Sequence, residues 1–197
     1  MSYKPNDFYA QKARKENFAA RSVYKLEEID RKYKLLKKDF FVIDLGASPG
    51  SWMQYTSKIV GDNGMILGID LKPIEVKLKN GINIQADLNE VNMQVLFDKY
   101  KIEKKADAVV SDMAPNTSSN RFTDQARSFE LCMLALDTAK KFLKPRGHFV
   151  CKIFDGEDAM TFRDEVKNNF EECYTFRPKS TQASSKEFFV VGKYYKA

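Results

Sequence analysis

The chain has 197 residues, 43% of them hydrophobic, with a formal net charge of +6 at neutral pH, three cysteines and one histidine. This length suits one well-packed domain, and the sparse cysteines and histidine argue against a disulfide framework and a zinc site, so we expect no metal. No apolar run could span a bilayer and no signal-peptide core is present, so we expect an intracellular protein without a membrane partner, cytoplasmic in the simplest case and organellar in the alternative.

The first 38 residues are basic and compatible with helix. Residues 8 to 33 are predicted to be helical, in two pieces, and lysines and arginines outnumber acids in this segment. Aromatic side chains are interleaved with the charges. Because aromatics can stack on bases and cations can pair with phosphates, the mixture favours a nucleic-acid partner modestly over an ordinary solvated helix face.

Residues 40 to 52 predict a buried strand, a glycine-rich loop and the start of a helix. Four apolar residues lead into Asp44, and Gly46 and Gly50 lie in the loop that follows. The loop lacks the Gly-Lys-Ser/Thr ending of a P-loop, and its Gly-x-x-x-Gly spacing differs from the dinucleotide fingerprint. A glycine loop preceded by an acid suits a nucleoside ligand carrying positive charge. An ordinary strand-to-helix turn is a nearly equal alternative for this segment alone.

The rest of the chain alternates strands with helices. Strands are predicted at residues 65–71, 82–86, 106–113, 148–154, 172–177 and 187–194, and helices at 51–60, 90–100, 123–143 and 158–169. Residues 144–147 are predicted to break the long helix, and 116–121 to form an irregular, mobile loop. This alternation predicts an α/β fold with a mostly parallel sheet covered by helices on both faces.

Four acids, Asp44, Asp70, Asp87 and Asp112, lie at or near the ends of successive predicted strands. In open parallel sheets a ligand lies outside the carboxyl ends of the strands. There Asp70 could accept both hydroxyls of a ribose, and Asp87 could accept from an adenine amino group. A single acid at a strand end is usually a helix N-cap or a turn residue with no role in ligand binding. Four of them, with the glycine loop, predict a nucleoside site.

Four segments in order resemble the FtsJ (RrmJ) family of S-adenosylmethionine-dependent RNA ribose 2′-O-methyltransferases. They are Asp-Leu-Gly-Ala-Ser-Pro-Gly-Ser-Trp, Ser-Asp-Met-Ala-Pro-Asn, Cys-Lys-Ile-Phe and Ser-Ser-Lys-Glu-Phe-Phe. The resemblance covers nearly the whole chain. It implies a Rossmann-like class I methyltransferase fold, with a seven-stranded sheet ending in an antiparallel hairpin. One departure is Lys-Pro-Arg-Gly at 144–147, where the family has Pro-Gly-Gly, in a turn away from the chemistry.

The resemblance also implies the site residues. The catalytic set would be Lys25, Asp112, Lys152 and Glu187. The cofactor, S-adenosylmethionine, would contact the loop and the strand ends at Gly46, Ala47, Ser48, Pro49, Gly50, Ser51, Trp52, Asp70, Leu71, Asp87, Leu88 and Asp112. RNA phosphates would contact the basic segment before the first catalytic lysine, at Lys12, Arg14, Lys15 and Arg21.

The implied reaction explains the residue types. A ribose hydroxyl is a very weak acid, so a base must take its proton while the oxygen attacks the sulfonium methyl group. A lysine can do so only in its neutral form, which burial and a neighbouring cation both favour. Lys152 is expected to be the base and Lys25 the neighbouring cation. Asp112 and Glu187 would orient the two amines.

The expected function is 2′-O-methylation of a uridine in large-subunit ribosomal RNA, as free RNA or in an assembled subunit. We expect a monomeric enzyme with a single methyltransferase domain over residues 1–197, on which residues 1–38 pack. The same chemistry on a tRNA anticodon loop or an mRNA cap is the first alternative. A non-catalytic RNA-binding module is the second, and it is disfavoured because binding alone would not need all four catalytic residues.

Overall fold

The centre of the computed structural model, which describes residues 8–118 and 120–197, is a seven-stranded sheet. Its strands are β1 Phe41–Leu45, β2 Met65–Asp70, β3 Gly81–Gln85, β4 Ala106–Ser111, β5 Leu143–Phe154, β6 Phe170–Phe176 and β7 Glu187–Tyr195. They lie side by side in the order β3-β2-β1-β4-β5-β7-β6. The first five pair in parallel, whereas β7 is antiparallel to both of its neighbours. The predicted mostly parallel sheet with an antiparallel final hairpin is confirmed.

Helices cover both faces of this sheet. They are α1 Phe8–Lys15, α2 Val23–Tyr33, α3 Ser51–Val60, α4 Met93–Lys99, α5 Arg121–Phe142 and α6 Asp158–Asn169. The N-terminal segment therefore forms two helices, as predicted. Side chains of Asn92 and Asn120 accept hydrogen bonds from the first backbone N–H groups of α4 and α5, which fixes where these helices begin. None of the described helices is long and apolar enough to cross a membrane.

The core has two halves because β1 is buried on both faces. Phe41, Ile43 and Leu45 pack in the cluster to which α4, α5 and α6 contribute. Val42 packs in the opposite cluster, to which α2 and α3 contribute. Since side chains alternate along a strand, Asp44 points to the same face as Val42. Its carboxylate therefore lies among residues of the α2–α3 side.

One predicted boundary is wrong. Residues 144–147 were expected to break the helix before the fifth strand, but β5 already begins at Leu143, which is fully buried and pairs with Ala106. The ladder between β4 and β5 is irregular between Ala106 and Ala108. Such an irregularity tolerates Pro145, which has no N–H to donate to a neighbouring strand.

The sheet order places a crevice beside the carboxyl end of β1. The chain winds outward from β1 in both directions, through β2 and β3 on one side and through β4 and β5 on the other. The point between β1 and β4, where the winding reverses, is where open α/β sheets bind ligands. The glycine loop follows β1 and Asp112 follows β4, so both predicted features lie at this point.

Candidate active site

The glycine loop requires its glycines for steric reasons. Gly46 and Gly50 have φ angles of +77° and +117°, in the left-handed region that other residues rarely adopt. A Cβ atom on Gly46 would lie 2.9 Å from the backbone of Met113, and one on Gly50 would lie 2.1 Å from Cγ2 of Val76. The first glycine therefore lets the ends of β1 and β4 approach, and the second lets the loop pass a neighbouring side chain.

A cavity of about 150 Å³ lies at the ends of the first strands. It is bordered by five of the predicted cofactor residues, Gly46, Asp70, Leu71, Asp87 and Leu88. The remaining lining residues were not predicted and are mostly apolar: Leu45, Ile69, Ala86, Asn89, Met113, Ala114, Leu131 and Leu134. Leu131 and Leu134 lie on α5, whose apolar residues look like ordinary core residues in the sequence. Apolar periodicity alone therefore could not identify these two leucines as part of a ligand cavity.

The two acids in this cavity are held by backbone donors. Asp70 accepts hydrogen bonds from the N–H of Ser48 at 2.9 Å and of Lys72 at 2.7 Å, one on each oxygen. Oδ1 of Asp87 accepts from both the backbone and the side chain of Asn89. Each carboxylate oxygen has two lone pairs, so both side chains retain capacity to accept from a ligand.

The remaining predicted loop residues, Ala47 to Trp52, do not line this cavity. Trp52 is 3% exposed, and its indole N–H donates to the carbonyl of Ser22 at 2.8 Å. Its ring lies 5.9 Å from that of Phe189, measured between centroids. The Trp52 side chain, in the first turn of α3, thus packs between α2 and β7.

Asp44 is the acid that precedes this loop, and it is almost fully buried. Both of its carboxylate oxygens are buried, and within the described residues neither has a hydrogen-bond partner. Burial, and then the charges of Asp112 and Asp70, raise the pKa of Asp44 well above its usual value. Three carboxylates around one loop create an environment that a cationic ligand would stabilise.

The four predicted catalytic residues come together from α2, β5, β7 and the residue that follows β4. Lys152 of β5 is buried, and its Nζ lies 3.1 Å from Oδ1 of Asp112 and donates to the Asp112 carbonyl at 2.7 Å. Nζ of Lys25 lies 2.5 Å from Oε1 of Glu187 and 3.9 Å from the same Oδ1 of Asp112. Two amines therefore share one carboxylate, with a second carboxylate on the outer side.

Oδ1 of Asp112 is buried and receives no hydrogen bond of acceptable angle from the described residues. Its contacts with the two amines are therefore mainly electrostatic. The Asp112 backbone N–H donates to the carbonyl of Leu45 at 3.2 Å, which fixes the aspartate to the end of β1. The shared carboxylate is thus held next to the glycine loop.

Helix α2 brings Lys25 to this cluster by docking on α3. The hydroxyls of Ser22 and Ser51 are 2.9 Å apart, and the hydroxyl of Tyr55 donates to Asp30 at 2.9 Å. At the other side of α2, Glu28 accepts from the N–H groups of the two residues 179 and 180, in the loop that leads to β7. These contacts couple α2 to the segment that supplies Glu187.

The predicted RNA-binding residues lie just before this helix. Arg14 and Lys15 are exposed on α1, while Lys12 is half-buried, 3.8 Å from a carboxylate oxygen of Glu16. Arg21 donates to the carbonyl of Ser180 and lines a small opening of about 160 Å³ that reaches the catalytic cluster. That opening is also lined by Ser22, Lys25, Gln182, Ser185 and Glu187. Of the four predicted RNA-binding residues, Arg21 is thus the one that lines this opening.

Known proteins resemble this chain along most of its length. The model of the family described as FtsJ-like methyltransferase matches residues 18–195. Ribosomal RNA large subunit methyltransferase E of Bdellovibrio bacteriovorus is 55% identical over 192 residues, covering 98% of both chains. The protein of that name from Desulfosudis oleivorans is 45% identical, covering 96% of this chain and 90% of its own.

Solved structures agree in fold. A crystal structure from Plasmodium falciparum, described as a ribosomal RNA methyltransferase, superposes with a TM-score of 0.78 at 28% identity and covers 90% of this chain and 98% of its own. A structure from Clostridium thermocellum, described as an rRNA methylase, has a TM-score of 0.61 at 19% identity and covers 86% of this chain and 97% of its own. The second likeness bears on the fold alone.

Proposed function

Since the chain belongs to the FtsJ-like methyltransferase family, we propose that it transfers the methyl group of S-adenosylmethionine to a ribose 2′-hydroxyl of large-subunit ribosomal RNA. The observation that carries the proposal is the buried cluster in which Lys25 and Lys152 share Asp112 beside the glycine loop. The names of the curated relatives support ribosomal RNA as the substrate. A uridine is the target nucleotide we propose.

The residues around the loop fit this cofactor. S-adenosylmethionine supplies an electrophilic methyl group next to a positive sulfur and also carries an ammonium group. Among the described residues the Asp44 carboxyl has no hydrogen-bond partner, and a cationic ligand would offset the burial and the charges of Asp112 and Asp70 that raise its pKa. Asp70 would hold the ribose hydroxyls and Asp87 the adenine amino group, while the apolar walls would enclose the ring.

We assign the proton transfer to Lys152. Its side chain is buried, and Nζ is held by two oxygen atoms of Asp112 at 2.7 and 3.1 Å. A neutral amine at this position would take the proton of the 2′-hydroxyl as the oxygen becomes a nucleophile. Because the amine is fixed on a central strand, it needs little reorganisation to act.

Lys25 and Glu187 would set the electrostatics around that base. Lys25 lies close to the shared carboxylate, which places its positive charge beside the second amine. Glu187 holds Lys25 through a 2.5 Å contact and keeps that cation on the outer side of the cluster. No step in this scheme requires a metal ion.

RNA would reach the cluster across the N-terminal helices. Arg14 and Lys15 are exposed and Arg21 lines the opening to the cluster, so all three could contact phosphates that flank the target ribose. Together with Lys12 they form the proposed RNA contact. We further propose that the enzyme acts as a monomer with one domain, on which residues 8–38 pack; residues 1–7 of the expected segment lie outside the described residues. The curated relatives named above are bacterial, which gives the organellar alternative no support.

The direct test is a methyl-transfer assay with purified protein, S-adenosylmethionine labelled in its methyl group and large ribosomal subunits from cells lacking the enzyme. Digestion to nucleosides should place the label in 2′-O-methyluridine. Label in a base, or no label in ribosomal RNA, would contradict the proposal. Parallel reactions with bulk tRNA and capped mRNA distinguish the two alternative substrates.

A further inference from the structure

A second cavity, which the proposed chemistry does not use, shares the lining residue Ser185 with the opening at the catalytic cluster. Its volume is about 330 Å³. Its walls come from the loop after β4, the first turns of α5, the end of β5 and the segment before β7. It is larger than the cavity beside the strand ends. The two cavities have no lining residue in common, although both are bordered by α5 and by the loop after β4.

The cavity is adjacent to the catalytic residues along two strands. Phe154 lies in its wall, two residues beyond Lys152 on β5, and side chains two residues apart on a strand lie on the same face, about 6.6 Å apart. Phe154 also pairs with Glu187 across the β5–β7 ladder. Ser185 borders both this cavity and the opening at Lys25. A nucleotide with its ribose at the cluster could therefore extend into the cavity.

The walls are held in place before any ligand binds. The carboxylate of Asp124 accepts from both the N–H and the hydroxyl of Ser118, which ties the loop after β4 to α5. The side-chain amide of Gln125 donates to the carbonyl of Asp155. Gly156 approaches Gln125 so closely that a Cβ atom would lie 2.7 Å from its Cδ. Ser118 of the expected irregular loop is thus held against α5, and the mobility of that loop stays a prediction.

The lining indicates what kind of ligand fits. Two cations, Arg121 and Lys186, are matched by two carboxylates, those of Asp124 and Asp155, so neither an anion nor a cation is favoured. An aromatic ring, an amide and three hydroxyl groups complete the wall. A flat, neutral molecule with both donors and acceptors on its edge suits such a surface, and a nucleobase has these properties.

We propose that this cavity receives the base of the nucleotide whose ribose is methylated, and that Arg121 and Gln125 read the edge of that base. The assignment rests on the proposed function and extends it from the reaction to the choice of nucleotide. The side chain of Phe154 would contact the face of the base, while the guanidinium and the amide would supply polar contacts to its edge.

The test measures discrimination among bases. Large ribosomal subunits with each of the four bases at the methylated position would be prepared from cells that lack the enzyme. We expect the parent enzyme to prefer one base at least tenfold in kcat/KM, since one lost hydrogen bond to a buried partner has an effect of this size. In Gln125→Leu and in Arg121→Gln the preference should shrink by about tenfold, while calorimetry shows unchanged affinity for S-adenosylmethionine.

Arg127→Gln is the matched control, because Arg127 is exposed on the same helix and does not border the cavity. This variant should keep the full preference of the parent. Equal rates on all four bases by the parent, or an undiminished preference in both cavity variants, would overturn the inference while leaving the methyl transfer intact. Absence of ribose methylation by the parent would instead refute the proposed function and, with it, the inference.

Discussion

Lys152 is the residue on which the proposed chemistry depends. Lys152→Ala should lower the rate of methyl transfer at least a hundredfold, within the usual contribution of a positioned base, and leave cofactor affinity nearly unchanged. Lys152→Arg should fail as well, because a guanidinium stays protonated. Single-turnover rates at saturating RNA and cofactor are the measurement. A rate within tenfold of the parent in either variant would remove Lys152 from this role.

Gly46 tests the location of the cofactor. Gly46→Ala places a Cβ atom 2.9 Å from the Met113 backbone at a positive φ angle, so the loop must move at the wall of the first cavity. We expect the affinity for S-adenosylmethionine, measured by calorimetry, to fall at least tenfold. Gly61→Ala is the matched control, since Gly61 also has a positive φ, of +70°, but a Cβ there has no neighbour within 4 Å. Equal affinities in the two variants would place the cofactor elsewhere.

Asp44 gives a prediction about pH. Its pKa is raised in the folded protein, so the folded state binds a proton more tightly than the unfolded state does. The stability linked to this group is therefore fully present below the unfolded pKa, near 3.9, and is lost as the pH rises towards the folded pKa. The loss can reach about 1.4 kcal/mol per pH unit.

Asp44→Asn cannot titrate, so its stability relative to the parent should increase between pH 4 and the higher pH values at which the parent carboxyl ionises. Urea unfolding of both proteins without cofactor, at a series of pH values, measures this difference. A constant difference across the series would show that the folded environment does not perturb Asp44. Since the charge is proposed to favour the cationic cofactor, the same variant should also bind S-adenosylmethionine more weakly.

At the scale of elements, helix α1 is the proposed contact with RNA. Changing Lys12, Arg14 and Lys15 together to glutamine should weaken RNA binding for all sequences and reduce the slope of log affinity against log salt by up to about 2. Cofactor affinity should hardly change, because that cavity is built from the strand ends. Filter binding at several salt concentrations is the measurement.

The matched control changes three lysines outside the N-terminal segment, Lys99, Lys104 and Lys105, to glutamine. It alters the net charge equally but does not touch α1 or the openings near the catalytic cluster. If both triple variants lose the same affinity, the effect of charge is general and α1 has no special role. If the α1 variant keeps the affinity and salt slope of the parent, the helix is an ordinary solvated surface.

The elements also show what the sequence could and could not predict. The common position of Asp70 and Asp87 at one cavity could be predicted because apolar runs locate the strand ends and parallel strands bring those ends together. No local sequence pattern marks Lys25 as a site residue, because a lysine on an amphipathic helix usually lies on the surface. Only the resemblance to a family pointed to it. Its position depends on the docking of α2 on α3, through Trp52 and Ser22, which no local pattern encodes.

In the whole molecule, the catalytic cluster forms where α2 and the final hairpin come together at the carboxyl edge of the parallel strands. The sheet holds Lys152 and the residue after β4, α2 contributes Lys25, and the final hairpin contributes Glu187. The alternation of helices and strands was sufficient to predict a mostly parallel sheet, whereas the antiparallel final hairpin was implied only by the resemblance to a family. The early start of β5 was missed because Pro145 and Gly147 are typical of turns, while the irregular pairing that accommodates them depends on the neighbouring strand.

The central claim is tested most directly by mapping ribose methylation in all RNA of cells that have lost this protein. The account predicts that one 2′-O-methyl group disappears from large-subunit ribosomal RNA. It also predicts that the gene for the parent protein restores this group, whereas the gene for Lys152→Ala, expressed at the same level, does not. An unchanged map of ribosomal RNA, a loss confined to tRNA or mRNA caps, or restoration by Lys152→Ala would contradict the account.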